Sequence, residues 1–335
     1  KTIIGYDYDE LSRLVSAVTH KRHTLNHKKT DKAVYNQKIN EFYAYDSVGN
    51  RLSGPREEEY QYNEASELLS VSLQRPDQVI NLRYDKNGNV IKKEGEKAGT
   101  WGYAFNAENR LLQAMYEAKN KKIVKAEYVY DPFGRRIAKK VTNKKNKKTT
   151  IEQFFYDGED ILAIFNGDKN MLMSFVHGPG TDEPLSVSQY GKQRPPRKQK
   201  AKTYYYIADG LGSIVGLSNE AGEMVQKYRY DSFGNMQQIG ESIQQPYAYT
   251  AREYDEETGL YYYRARYYDP GIGRFTSRDP LFSINKYLYV DNNPMTFIDP
   301  MGMCSEEYST SAYTDFAMWL GENRAADWMM NHWYV

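Results

Sequence analysis

A short motif recurs along most of the chain. It consists of two tyrosines separated by one residue, an aspartate, a few residues that include glycine with asparagine or arginine, and then an aliphatic residue. Complete or degenerate copies begin at Tyr6, Tyr43, Tyr60, Tyr84, Tyr103, Tyr128, Tyr156 and Tyr228. Between positions 62 and 156 the second aromatic residue recurs every 21 to 26 residues. A period of this length indicates one supersecondary unit per copy, so it constrains the fold more than any other feature.

Each copy of the motif predicts about one β-hairpin. Aspartate followed by Gly-Asn or Gly-Arg is turn chemistry, because the Asp side chain can bind the backbone ahead of it and Gly or Asn tolerates a positive φ. The residues on either side alternate with the two-residue period of a strand. An isolated hairpin is only marginally stable. We therefore expect successive hairpins to pair edge to edge in one long antiparallel sheet, with an ordinary β-sandwich as the alternative.

The composition favours a folded, all-β protein. Mean hydropathy is −0.81 and charged residues make up 27% of the chain, yet it contains 32 tyrosines and 12 phenylalanines. Disordered chains are poor in aromatic residues, whereas tyrosine suits a half-buried sheet surface with its hydroxyl free to find a polar partner. The net charge of +1 gives no overall attraction to nucleic acid or membranes.

The single cysteine, Cys304, excludes an internal disulfide framework and a zinc site built from several cysteines. We expect no cofactor and no bound metal. No run of 18 apolar residues occurs, so no membrane-spanning helix is expected. The chain begins at Lys1, close to the first repeat and without a signal peptide, which suggests a piece of a longer polypeptide.

Three polar stretches interrupt the repeats, at residues 20–31, 139–148 and 191–202. The first holds three of the five histidines, and a solvated hairpin tip is favoured there over a metal site. The second is predicted to be a basic hairpin tip, and the third, with two prolines, a loop. Lysines that protect sheet edges explain these stretches as well as phosphate contact would. His177, just before Gly178, is predicted to be a strand-end residue and not a catalytic one.

The densest pattern runs from residue 258 to 302 and contains two Asp-Pro pairs, Asp279-Pro280 and Asp299-Pro300. Two carboxylates held close together cannot both ionise easily and can share a proton. Such a pair can activate a water and protonate a leaving amide nitrogen, which is the chemistry of aspartic proteases. Asp-Pro also fixes a turn, so a purely structural role stays open. Residues 266–275 are predicted to be architectural.

The repeats and the closing pattern together resemble YD-repeat and Rhs (rearrangement hotspot) proteins, over residues 1 to about 302. The residues that carry the resemblance in the closing pattern are Arg266 to Pro270, Gly273 to Phe275, Asn292 to Pro294 and Asp299 to Gly302. The resemblance implies a spiralling antiparallel sheet of hairpins that forms part of a hollow shell. It implies a shell wall at residues 1–257, a closing segment with a self-cleavage motif at 258–303, and a tail at 304–335.

The same resemblance implies a reaction, because members of this family are taken to cut themselves just after a second Asp-Pro-x-Gly motif. It makes Asp279 and Asp299 the catalytic aspartates. The remaining candidates are Arg278 as a supporting cation, Asp291 as a reserve carboxylate, and Met303-Cys304 as the bond that is cut. The first motif departs from the family, since Leu281-Phe282 follows Asp279-Pro280 where a glycine is expected.

The tail changes in character after Gly302. Thr314-Asp315 can cap a helix. Apolar residues then recur at near-helical spacing: Phe316, Trp319, Leu320, Ala325, Trp328, Met329 and Trp333. A tail this short cannot bury a core of its own. It is expected to be either the start of a variable effector region or a short helical plug.

By resemblance, the chain is a shell that encloses a C-terminal toxin and releases it by aspartyl self-cleavage. Any enzymatic activity would act on its own chain only. The implied partners are the toxin cargo, upstream shell or delivery segments, and an immunity protein for the cargo. The implied location is outside the producing cell or at its surface, reached by a bacterial secretion system in competition between bacteria. The alternatives are a cell-surface or wall-associated adhesion module that binds glycans or proteins through exposed tyrosines and, more remotely, a carrier of nucleic acid.

Overall fold

The computed structural model describes residues 2–21, 40–56, 58–72, 79–95, 99–118, 121–191, 201–281, 283–303 and 306–307. These residues contain no α-helix, and short 3₁₀ turns lie at Tyr249–Ala251 and Val290–Asn292. The strands are β1 (Thr2–Tyr8), β2 (Leu14–Lys21), β3 (Asn40–Phe42), β4 (Ala44–Tyr45), β5 (Arg51–Ser53), β6 (Glu59–Tyr62), β7 (Leu68–Ser72), β8 (Val79–Tyr84), β9 (Val90–Gly95), β10 (Gly99–Phe105), β11 (Leu111–Ala118), β12 (Lys121–Tyr130), β13 (Arg136–Asn143), β14 (Lys148–Asp157), β15 (Asp160–Asn166), β16 (Met171–His177), β17 (Pro184–Gln189), β18 (Lys202–Ala208), β19 (Ile214–Ser218), β20 (Met224–Tyr230), β21 (Met236–Gly240), β22 (Glu253–Asp255), β23 (Leu260–Tyr263), β24 (Arg266–Asp269), β25 (Arg274–Phe275), β26 (Phe297–Ile298) and β27 (Glu306–Glu307).

In the described part of the chain, strands β4 to β21 form one large antiparallel sheet in which neighbours in sequence are neighbours in space. The sheet closes on itself, with β21 beside β4. Strands β1–β3 form a separate sheet, β22–β25 a four-stranded sheet, and β26 and β27 a pair. The prediction of an all-β fold built from successive antiparallel hairpins is confirmed.

The repeat motif makes the turn that its residues predict. In the copy at Asp85, the N–H of Gly88 donates to the Asp85 carbonyl (3.1 Å), and the N–H of Asn89 donates to Asp85 Oδ1 (2.9 Å). Gly88 has a φ of +84°, which favours glycine. Ile91 is then skipped in the pairing of β8 with β9, which makes it the extra residue of a β-bulge. The same turn recurs at Asp46, Asp131, Asp209 and Asp231.

In five copies of the motif the second tyrosine fastens the repeat to the one before it, because its hydroxyl donates to the carbonyl of the residue that follows the preceding turn. The bonds run from Tyr45 to Leu14, Tyr62 to Arg51, Tyr130 to Leu111, Tyr156 to Arg136 and Tyr230 to Ile214, at 2.7–2.9 Å. In the copy at Tyr84 the hydroxyl instead accepts from the N–H of Leu68 (3.0 Å). His177 takes the same position with Nε2 3.0 Å from the Ile161 carbonyl. Its prediction as a strand-end residue is confirmed, and the bond shows why tyrosine is so frequent.

The closing segment lies across the end of the closed sheet at which the repeat turns are found. Its side chains bind carbonyls of turn glycines from different parts of the sheet: Tyr261 binds Gly234, Tyr262 binds Gly134, Tyr287 binds Gly88 and Asn292 binds Gly49. Its backbone also binds the wall, because the N–H of Val90 donates to the carbonyl of Thr276. Ahead of the segment, the carbonyl of Ala248 accepts from the N–H of Ile214 in the same way. All residues of β23 and β24 are buried.

Packing shows that residues 247–257 belong with the closing segment, a name that from here on covers residues 247–303. Strand β22 pairs with β23, and Tyr247 and Ala251 lie in one apolar cluster with Phe175 and Val187 of the wall. A second cluster within the closing segment is almost entirely aromatic and includes Tyr268. Aromatic rings in edge and tilted contact contribute beyond their buried area.

The stretch predicted to be a basic hairpin tip at 139–148 forms one only in part. The turn between β13 and β14 is exposed and basic at residues 144–148, as predicted for a hairpin tip. Lys139, counted with that tip, is instead only 12% exposed at its side chain and pairs with Asp255 at 3.1 Å. Residues 22–31 and 192–200, Cys304 and the predicted tail helix lie outside the described residues. Within the described residues, no helix is long and apolar enough to cross a membrane.

Candidate self-cleavage site

The two candidate aspartates lie shortly after two short strands of the closing segment. Asp279 follows β25, and its N–H donates to the Lys286 carbonyl (2.8 Å). Asp299 follows β26 and is 2% exposed. Arg266 Nη2 lies 2.8 Å from Asp279 Oδ2 and 3.3 Å from Asp299 Oδ2. These two oxygens are therefore no more than about 6 Å apart.

Arg266 is the cation of this site. It is buried in β24, its guanidinium lies 3.6 Å from the centre of the Phe275 ring, and its Nη1 donates to the Lys286 carbonyl (3.2 Å). A buried guanidinium between two carboxylates balances charge that would otherwise be costly to bury. Arg266 lies in the stretch 266–275 that was predicted to be architectural. A charged residue within a run of buried tyrosines was the signal that could have identified it.

The structure places Arg278 away from the position that was predicted for it. Its Nη2 pairs with Glu67 of the wall at 2.8 Å, and its Nε donates to the Tyr287 hydroxyl at 3.2 Å. The supporting cation beside the two aspartates is therefore Arg266 and not Arg278.

The reserve candidate Asp291 is not brought to this site. It is exposed, in the 3₁₀ turn Val290–Asn292, with a φ of 51°. Among the described residues it forms no ion pair with Arg266. The geometry separates it from the pair that meets at the guanidinium.

Each aspartate combines a turn contact with a contact to Arg266. Asp279 Oδ1 accepts from the N–H of Leu281 (2.8 Å), and Asp299 Oδ1 accepts from the N–H of Met303 (2.9 Å). The first oxygen of each carboxylate thus stabilises a turn, which is the structural role that Asp-Pro motifs also predict. The second oxygen of each carboxylate contacts Arg266. Burial raises the pKa of Asp279, although Arg266 opposes this effect.

The residues after Asp299 are held by the turn between β23 and β24. Arg264 Nη1 donates to the Pro300 carbonyl, the N–H of Ala265 to the Met301 carbonyl (3.2 Å), and Arg266 Nε to the Gly302 carbonyl. Three consecutive donors thus bind three consecutive carbonyls, an arrangement that we call the carbonyl clamp.

Gly302 fits the clamp because it has no side chain. Its φ is +70°, and a Cβ there would lie 2.2 Å from the Tyr263 carbonyl oxygen. The predicted cut follows at Met303-Cys304. Met303 is described, and Cys304 lies outside the described residues.

These features define a YD-repeat shell with a folded closing segment. Residues 97–298 match the model of the teneurin YD-shell family, and the chain belongs to this family. The resemblance to YD-repeat and Rhs proteins is thereby confirmed.

Individual relatives agree with this assignment. The chain is 30% identical over 279 residues to the tRNA nuclease WapA of Bacillus subtilis (strain 168). The matched region covers 78% of this chain and 11% of that protein. It is 27% identical over 315 residues to the toxin protein Tse5 of Pseudomonas aeruginosa, which covers 78% of this chain and 23% of that protein. The chain therefore spans less than a quarter of either relative.

A solved structure supports the fold. The crystal structure of TcdB2-TccC3 covers 90% of this chain with a TM-score of 0.50, and the chain spans 19% of it. At 18% identity this similarity concerns the fold alone.

Proposed function

We propose that this chain is the closing part of a shell that encloses a C-terminal toxic domain, and that it cuts its own backbone to free that domain. The observation that carries the proposal is the meeting of Asp279 and Asp299 at Arg266, beside the clamped residues 300–302. The names of relatives as a nuclease and a toxin support the cargo. A closed sheet without open edges suits such a container.

The proposed reaction uses the two carboxylates in different states. Asp299, held by two N–H donors, is the carboxylate that takes a proton from water. The hydroxide adds to the Met303 carbonyl carbon, and the bond to the Cys304 nitrogen breaks. Asp279, whose pKa is raised by burial, is the acid that gives its proton to that nitrogen. Arg266 keeps both carboxylates and the Gly302 carbonyl in place.

The test is intact-mass analysis of the purified chain and of single variants. Asp279→Asn and Asp299→Asn should each lower the rate at which the fragment that begins at residue 304 is released, by about 100-fold or more. Asp291→Asn is the matched control, because that carboxylate is exposed on its turn, and it should cut at the normal rate. Release of a fragment of unchanged mass from either of the first two variants would refute the aspartate pair.

The partners and location are part of the same proposal. They are the cargo, upstream shell or delivery segments, an immunity protein, and delivery out of the producing bacterium for use against competitors. Adhesion through exposed tyrosines is less favoured, because the tyrosines of the repeats are largely buried. Among the large apolar side chains exposed in the described residues, the tyrosines are Tyr8 and Tyr205.

A further inference from the structure

Asp182 joins the wall to the closing segment. It lies in the turn between β16 and β17, and its side chain is 7% exposed. Its Oδ1 is 2.5 Å from Arg252 Nη1 and 2.8 Å from Arg264 Nη2, and its Oδ2 accepts from Arg264 Nη1 (3.2 Å). Two buried arginines of the closing segment thus meet at one carboxylate of the wall.

Arg264 connects Asp182 to the cleavage motif. The same Nη1 that binds Asp182 also donates to the Pro300 carbonyl, which is the first contact of the carbonyl clamp. Arg264 has a φ of 52° and Asp182 a φ of 55°. A positive φ is uncommon for residues with a side chain, although aspartate adopts it more readily than most. The ion pair between Asp182 and Arg264 thus joins a turn of the wall to the turn that carries the clamp.

We propose that Asp182 is a positioning residue that makes the carbonyl clamp depend on the folded wall hairpin β16–β17. Before that hairpin is in place, Arg264 has no buried carboxylate to fix its guanidinium, and Pro300 is not held. Self-cleavage is then delayed until the shell has closed around its contents. The link to cleavage rests on the proposed function, whereas the link from Asp182 to the clamp does not.

Glu159 provides a matched comparison on the same arginine. Its Oε2 lies 3.3 Å from Arg264 Nε, but its side chain is 48% exposed. Exposed ion pairs contribute little, whereas loss of one partner of a buried pair leaves an uncompensated charge. Asp182→Asn and Glu159→Gln therefore each remove one carboxylate from Arg264. The first should loosen the clamp, and the second should leave it unchanged.

The first experiment does not need cleavage. In uncut chain that carries Asp279→Asn, hydrogen exchange is measured at the amides of Ala265, which binds Met301, and Met303, which binds Asp299. Adding Asp182→Asn should speed exchange at both by about tenfold, as expected for loss of a charge-assisted hydrogen bond. Adding Glu159→Gln should leave it unchanged. Unchanged exchange with Asp182→Asn overturns the inference.

A second variant and an internal reference guard against general unfolding. Arg264→Lys keeps the charge but cannot span Asp182 and Pro300 with one guanidinium, so it should give the same faster exchange. Amides of β8 to β11 should keep their protection in every variant. Faster exchange throughout those strands would mean loss of the fold and would overturn a positioning role.

The second experiment measures release in chain that retains Asp279. Asp182→Asn should slow release by about tenfold and add products cut at neighbouring bonds, because the clamp no longer fixes the register. Glu159→Gln should do neither. Normal release with faster exchange would overturn the coupling to cleavage. Absence of release from the unmodified chain would refute the proposed function instead, and the exchange result would still decide the role of Asp182.

Discussion

The buried charges that fasten the closing segment to the wall make a quantitative prediction. Asp255 of β22 is 1% exposed and accepts from Arg136 Nη1 (2.5 Å) and Lys139 Nζ (3.1 Å), both on β13. Asp255→Asn removes the carboxylate from the buried Arg136 and the partly buried Lys139. Lys139 still has Glu152 and Glu257 at 3.4 Å, whereas Arg136 loses its ion pair. We therefore expect the lower part of the usual range for breaking a buried pair, about 3 kcal/mol.

Urea unfolding followed by tyrosine fluorescence measures this cost. Asp255→Asn should lower the transition midpoint with little change in slope. The matched control is Glu94→Gln, which removes a partly exposed carboxylate from Lys92 and Arg83 and should leave the midpoint nearly unchanged. Adding Arg136→Met, which fills similar volume without charge, should recover much of the loss. A loss below about 1 kcal/mol, or no recovery in the double variant, would refute the argument.

The same contacts predict a pH dependence. Burial favours the neutral acid, but Arg136 and Lys139 outweigh burial and hold the pKa of Asp255 below its ordinary value. The stabilisation is therefore fully present above that ordinary value, near about 4, and is lost as the pH falls through the lower pKa of the folded protein. Asp255→Asn should flatten this acid limb of the stability profile. An acid limb identical to that of the unmodified chain would contradict the assignment.

Two further predictions concern glycine and tyrosine. Gly302→Ala introduces a Cβ that would lie 2.2 Å from the Tyr263 carbonyl oxygen, in a conformation that costs about 1–2 kcal/mol for a residue with a side chain. Release of the fragment should stop and the midpoint of urea unfolding should fall, and normal release would contradict this role of the clamp. Tyr156→Phe removes the hydroxyl that binds the Arg136 carbonyl and should lower the free energy of unfolding, measured in urea, by about 1 kcal/mol. Tyr205→Phe, at an exposed position, is the control. Equal effects of the two substitutions would contradict the fastening role.

Much of the wall could be predicted because its interactions are local. Asp85 and Gly88 make their turn within a few residues, and the alternation that follows is that of any strand, so hairpins could be recognised directly. The position of His177 at a strand end followed from the Gly-Pro-Gly after it. Its substitution for the fastening tyrosine could be recognised only when the Ile161 carbonyl was seen beside it.

The candidate site was predicted only in part. The Asp-Pro motifs identified Asp279 and Asp299 as candidates, and the structure brings them to one guanidinium. Their roles in cleavage remain a proposal. Arg278 was chosen because it adjoins Asp279, but its guanidinium binds Glu67 and Tyr287 instead. Asp182 belongs to no motif, and nothing in its local sequence indicates that it binds Arg264.

The sequence by itself determined the building unit, because turns, bulges and strand alternation depend on residues only a few positions apart. It also marked out the dense motif that lies across one end of the closed sheet. The tertiary structure alone decided which buried charges meet. Asp182 and Arg264 are 82 residues apart, and Arg136 and Asp255 are 119 apart. Such pairs form only when the closing segment folds back across the closed sheet, where loss of water makes each buried charge require a partner.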